Sequence, residues 1–257
     1  MRFSANLGFL WTDRPLTDRI AAAAAAGFDA VECHFPYDTD PGAVKRALEE
    51  TGLSMLGLNT VPGDTSAGDF GLCALPGRTS EARAAIDQAL EYASAIDCPN
   101  IHVMAGKSAG QAEAASTFRE NLTYAVEGAL TRDKTILIEP INTRDVPGYF
   151  LSTLESASLL IEQMGVEGLK IMFDCYHLQI MGGDLLRRYS AHAHQVGHIQ
   201  FASVPDRGEP NRGEVRYDWL LPELAAAGYK GAFGAEYRPA EGTDTGLGWL
   251  ATYKALG

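Results

Sequence analysis

Four polar residues occupy corresponding places in the second half of the chain: Glu139 in TILIEPIN, Asp174 in LKIMFDCYH, Gln200 in VGHIQFAS and Glu236 in GAFGAEYRP. Each follows a short run of β-branched or apolar residues, the composition of a buried strand. Period two places Leu137 with Glu139, Met172 with Asp174, His198 with Gln200 and Gly234 with Glu236 on common faces. An acid near the end of such a strand must be paired or functional, and singly each could be a buried ion pair or a loop cap. If the faces point one way, three carboxylates and an amide meet in a low-dielectric mouth. There the acids raise one another's pKa, and a bound divalent cation removes the repulsion. Oxygen donors without imidazole or thiolate favour a hard ion, Mg²⁺ or Mn²⁺, over zinc.

Other candidates surround this set. His177 follows Asp174 by three, where strand turns into loop, and is placed to face the same cleft. His198 lies deeper on the Gln200 face, as a core histidine or a partner of the ligands. His102 sits within a strand with no motif to raise it above a core residue, and His192 and His194 fall at a helix end. Glu32 ends an early strand and could hydrogen-bond a substrate hydroxyl. Lys107 and Arg207, in the loops after the fourth and seventh strands, are candidate anion clamps.

The elements that must position these residues alternate along the whole chain. Strands are expected at Phe3 to Leu7, Ala30 to Phe35, Ser54 to Thr60, Asn100 to Gly106, Thr135 to Asn142, Leu169 to His177, Val196 to Ser203 and Gly231 to Pro239. Helical periodicity separates them: Leu16 to Ala26 stopped by Gly27, Gly42 to Thr51 stopped by Gly52, Thr79 to about Asp97, Gln111 to about Leu130, then segments near 153–164, 178–191 and 217–227 and a last one from about Thr243. Eight units in 257 residues average about 32 residues each, the length of a βα repeat. This predicts an α/β fold, a single (β/α)8 TIM-barrel domain over residues 1–257. An open doubly wound sheet would need a phosphate-binding turn, and the chain has neither G-x-G-x-x-G after its first strand nor G-x-x-x-x-G-K-[ST] anywhere.

Composition narrows the partners. With 21 Lys+Arg against 33 Asp+Glu the formal charge is −12, which disfavours a nucleic-acid backbone or an anionic membrane. No stretch reaches the roughly 20 apolar residues of a membrane span, and the N-terminal segment has no secretory h-region. The four cysteines form no C-x-x-C pair, as expected of free thiols in a reducing compartment, so the cytoplasm is the expected location. The expected partner is a small-molecule 2-oxo acid or sugar, with homo-oligomerisation compatible with the chain.

The segments RFSANL, VECHFPYD, GLCALPGR, LIEPIN, FDCYH, GHIQ, RGEPNRGEV and AEYRP, in order from Arg2 to about Lys254, resemble the hydroxypyruvate isomerase family of the xylose-isomerase-like TIM barrels. The resemblance implies one divalent metal held by Glu139, Asp174, Gln200 and Glu236, with Glu139 and Glu236 as the proton-transfer pair and His177 and Arg207 on the substrate. Related ketose 3-epimerases usually carry H-x-H on the seventh strand, whereas this chain has His198-Ile199-Gln200, which leans toward the hydroxypyruvate branch. The implied reaction interconverts hydroxypyruvate and tartronate semialdehyde through an enediolate, with Arg207 and Lys107 gripping the carboxylate. Trp11, Asn59 and residues 64–78 are expected to set the pocket size. A four-carbon 2-oxo acid isomerase, a ketose 3-epimerase and a non-catalytic sugar-binding barrel are the alternatives. A DNA-repair endonuclease of the same fold group would want more histidine ligands and a basic face.

Overall fold

The computed structural model describes residues 1–256. Eight parallel strands alternate with helices: β1 Phe3–Asn6, β2 Ala30–Glu32, β3 Gly57–Asn59, β4 Asn100–His102, β5 Thr135–Ile138, β6 Leu169–Asp174, β7 Val196–Phe201 and β8 Phe233–Ala235. The helices are α1 Leu16–Ala25, α2 Pro41–Thr51, α3 Thr79–Ala95, α4 Ala114–Leu130, α5 Leu154–Met164, α6 Cys175–Met181, α7 Leu185–His192, α8 Tyr217–Ala226 and α9 Gly248–Lys254. The sheet runs β2-β1-β8-β7-β6-β5-β4-β3. Its two edges meet where Val31 N–H donates to Ser54 O at 3.0 Å and Leu56 N–H to Val31 O at 2.7 Å, which closes the barrel.

Local chemistry sets the element ends. Asp40 caps α2 by accepting from Ala43 N–H, Pro41 occupies the first turn, and Gly52, at φ 71°, ends the helix in the left-handed conformation. The sixth strand was expected to reach His177 but stops at Asp174, whose Oδ1 accepts from Tyr176 N–H at 2.8 Å. That bond turns the chain into α6 and brings His177 back over the barrel mouth. The single helix expected over 178–191 is two, α6 and α7, because the chain turns at Gly182 and Gly183, whose N–H groups both close on Leu178 O at 3.0 Å.

Strand alternation sorts the two faces of the sheet. Phe3, Phe201 and Phe233 point outward, with Phe3 and Phe201 packed on Trp249 of α9 at ring-centroid distances of 5.6 and 5.5 Å. Their neighbours Ser4, Gln200 and Gly234 point inward. The strand interior, expected to be apolar, is instead partly polar: Glu32 lies inside and is met by Ser4, His198 and Gln200. Gly234 makes this possible, because a Cβ there would stand 2.2 Å from Glu32 Oε1.

Candidate active site

The strand register assembles the site at the C-terminal rim. Asp174 of β6 is paired with Gln200 of β7, and Gln200 with Gly234 of β8, two residues before Glu236. Glu139 follows β5 directly. Glu139, Asp174, Gln200 and Glu236 are all buried. Glu139, Asp174 and His177 can bring ligand atoms within 4.8 Å of one another. Glu139, Glu236, His177 and Arg207 line a cavity of about 290 Å³ together with His34, Asn59, Phe70, His102 and Arg238.

Glu236 is the most strongly held acid. Its Oε1 accepts from Asn6 Nδ2 at 3.0 Å and pairs with His34 Nε2 at 2.7 Å, while its Oε2 accepts from Arg207 Nη2 at 2.5 Å. Burial pushes its pKa up, but the Arg207 charge and His34 outweigh burial and hold it well below the usual carboxylate range. Glu139 contrasts with it. Its Oε1 is buried without a hydrogen-bond partner, and burial, reinforced by the Glu236 and Asp174 charges, raises its pKa well above the ordinary value. Asp174 is pushed up to about 7 by burial, against the pull of Arg207.

His177 is fixed as a neutral donor. Its Nδ1 faces two N–H groups of Asn142, Nδ2 at 2.6 Å and the backbone at 3.3 Å, so Nδ1 accepts. The Asn142 amide cannot turn over, since its Oδ1 accepts from Asp145 N–H. The ring proton therefore sits on Nε2, 3.5 Å from Asp174 Oδ2 and 3.7 Å from Glu139 Oε1. Burial, followed by the Arg207 charge, holds its pKa well below the ordinary value. Arg207 adopts a left-handed backbone at φ 53°, which places Nη2 between Glu236 and Asp174, with Asp174 Oδ2 at 3.3 Å.

Glu139, Asp174 and His177 form a buried group that could hold a metal ion, which differs from the expected all-oxygen set by its imidazole and by leaving out Glu236. Glu139 Oε1 and Gln200 Oε1 are both buried oxygens without partners, and such groups in a folded interior call for a ligand or an ion. The Gln200 amide is oriented by Nε2 donating to Glu32 Oε2 at 2.6 Å, so its oxygen is the free atom.

The structure brings Glu139, Asp174, Glu236, His177 and Arg207 together, while Gln200, the register partner of Asp174, is bonded to Glu32 and, like Asp174, is not part of the cavity wall. It does not bring Lys107, whose exposed Nζ donates to Gly68 O at 3.0 Å outside the cavity. Glu32 lies beneath the site, bound to Ser4, His198 and Gln200, and faces no part of the cavity wall. Asn59 and Phe70 do line the pocket, whereas Trp11 is turned away, with its Nε1 on Asp244. Of the cavity residues, His34 and Arg238 were not singled out in the sequence, and His102 was read as a core residue. His34 lies two after Glu32, so strand period carried a signal for it. His102, with both ring nitrogens unpartnered and Nδ1 3.5 Å from Glu139 Oε2, gave none beyond its strand.

A closed parallel barrel with acids converging at its C-terminal rim is an enzyme architecture, and the chain belongs to the xylose isomerase-like TIM-barrel family, which it matches over residues 20–253. Within that family it is an isomerase of the hydroxypyruvate isomerase group. It is 45% identical to a 2-oxo-tetronate isomerase of Cupriavidus necator, covering 98% of both chains. It is 42% identical to a putative hydroxypyruvate isomerase of Homo sapiens (98% of this chain, 95% of the relative) and 38% identical to the hydroxypyruvate isomerase of Escherichia coli (99% and 100%). Among solved structures, a Brucella melitensis protein described as AP endonuclease, family 2, superposes with a TM-score of 0.94 at 40% identity over 98% of both chains. An E. coli 3-keto-D-glucoside 4-epimerase shares the fold, with a TM-score of 0.81 at 20% identity over 97% of this chain and 98% of that one.

Proposed function

We propose that this chain is a metal-dependent isomerase that interconverts hydroxypyruvate and tartronate semialdehyde. The observation that carries the reading is the convergence of Glu139, Asp174, Gln200 and Glu236 at one rim, with two of their oxygens unpartnered. These four residues would hold one Mg²⁺ or Mn²⁺. When bound, the ion supplies stabilisation of the negative charge that develops on adjacent substrate oxygens.

The chain's own residues do the rest. Isomerisation moves a proton between neighbouring carbons through an enediolate, so it needs one group to take a carbon-bound proton and one to return it. Glu139 and Glu236 are that pair: both are buried, both line the cavity, and their environments push their pKa values apart. Neutral His177 offers its Nε2 proton to a substrate oxygen. Arg207 and His34 keep Glu236 charged and aimed.

A four-carbon 2-oxo acid is the second reading, favoured by the 45% identity to a 2-oxo-tetronate isomerase. A phosphodiesterase is not favoured, because a formal charge of −12 repels a duplex. The deciding experiment assays the purified protein with Mn²⁺ and with chelator on hydroxypyruvate, 2-oxo-tetronate and simple ketoses, beside Glu139→Gln and Glu236→Gln. Each substitution is expected to lower turnover by about 10²–10⁴-fold; turnover surviving in both, or undiminished by chelator, sinks the proposal.

A further inference from the structure

Two arginines lean on the same ring at the cavity mouth. Arg207 and Arg238 place Cζ 5.1 and 5.4 Å from the Phe9 centroid, and Arg238 N–H donates to Arg207 O at 2.7 Å. Their guanidinium groups differ in what they already hold. Arg207 is partly buried, with 13% of its side chain exposed, and its Nη2 is shared by Glu236 and Asp174. Arg238 is exposed and lines the cavity, and among the described residues its guanidinium makes no hydrogen bond or ion pair.

We propose that Arg238, rather than Arg207, grips the carboxylate of the substrate and selects acids over neutral sugars. The inference rests on the reading above that the substrate is a small 2-oxo acid. An anion entering the cavity is drawn to charge that is not already neutralised. Arg207 Nη2 already lies between Glu236 and Asp174. Arg238 has no such commitment. Its contact with the Phe9 ring uses none of its five N–H donors, so the fork remains available for a bidentate carboxylate contact. Its backbone is fixed as well: the Arg207 carbonyl holds it on one side, and Glu209 Oε1, which accepts from Ala240 N–H at 3.0 Å, on the other. The substrate therefore enters with its carboxylate at the rim and its carbonyl and hydroxyl carbons leading inward, toward Glu139 and Glu236.

The test compares Arg238→Gln and Arg238→Lys with the wild type on hydroxypyruvate and on dihydroxyacetone, which undergoes the same proton transfer without a carboxylate. Arg238→Gln is expected to raise KM for hydroxypyruvate by about 10- to 100-fold while kcat stays within about threefold, with dihydroxyacetone turnover unchanged and partial recovery in Arg238→Lys. Calorimetric binding of D-glycerate, which resembles hydroxypyruvate but cannot isomerise, should weaken by a similar factor. An unchanged KM, or equal losses on both substrates, overturns the assignment. If the wild type isomerises no 2-oxo acid, the proposed function fails, and D-glycerate decides the inference alone: equal affinity in wild type and Arg238→Gln, or none in either, overturns it.

Discussion

Gln200 donates its Nε2 to Glu32 Oε2 across 2.6 Å, and this one bond decides which atom of the amide is left for the site. Glu32 is held in turn by Ser4 Oγ at 2.8 Å and by His198 Nε2 at 3.2 Å, so the carboxylate cannot swing away. A residue beneath the site thus orients the amide proposed as a metal ligand, as outer partners do in metal centres.

From this pairing, Glu32→Gln should weaken Mn²⁺ binding by about 10- to 100-fold, measured from the free-ion electron paramagnetic resonance signal. Gln200→Glu should cost about 3–5 kcal/mol, roughly 10 °C in Tm, because two carboxylates then meet in the interior. The double variant exchanges donor and acceptor and should recover most of that Tm. A double variant no more stable than Gln200→Glu would show that the pair is not coupled.

His34 gives a second prediction. Its ring stacks edge-on against Phe9 at 4.9 Å and fits only because residue 8 is glycine, where a Cβ would lie 2.2 Å from Nδ1. His34→Ala should lower kcat/KM by about 10- to 100-fold, the worth of one hydrogen bond to a charged group. Gly8→Ala should reproduce much of that loss by displacing the ring. Full activity in Gly8→Ala with the loss confined to His34→Ala would mean that ring position is not what matters.

Lys107 supplies the contrast. Its Nζ is bound to Gly68 O on an exposed loop, so Lys107→Met should leave kcat/KM within about twofold and stability within about 0.5 kcal/mol. A rise in KM for hydroxypyruvate would return it to the anion clamp.

Legibility in the sequence followed burial. Glu139, Asp174, Gln200 and Glu236 stood out because an acid or amide breaking an apolar run is costly unless it has a role, and strand period then fixed their common face. Charged residues at the rim carry no such constraint: Lys107 follows an expected strand and Arg238 falls at the end of one, and only the folded chain separates a lysine on a loop carbonyl from an arginine beside Phe9. Glu32 was legible as a strand residue, but its direction was not, because whether it faces the cavity or the barrel floor depends on Ser4, His198 and Gly234 from three other strands.

The last prediction concerns the ion and needs no substrate. Three carboxylates and Arg207 share one buried region, and Glu139 and Asp174 carry raised pKa values because burial and neighbouring acids disfavour their charges. A divalent ion that binds only the folded chain stabilises it by mass action, about 2.7 kcal/mol at a hundred times Kd. For a chain of this size that is roughly 5–10 °C in Tm. Mn²⁺ should therefore raise Tm in the wild type, chelator should return it, and Asp174→Asn should abolish the shift. Asp174 tests this more cleanly than either glutamate, since it is assigned to the metal but not to proton transfer. A Tm indifferent to Mn²⁺ and Mg²⁺ would leave the four residues as a structural cluster and shift the reading toward a barrel that binds its ligand without isomerising it.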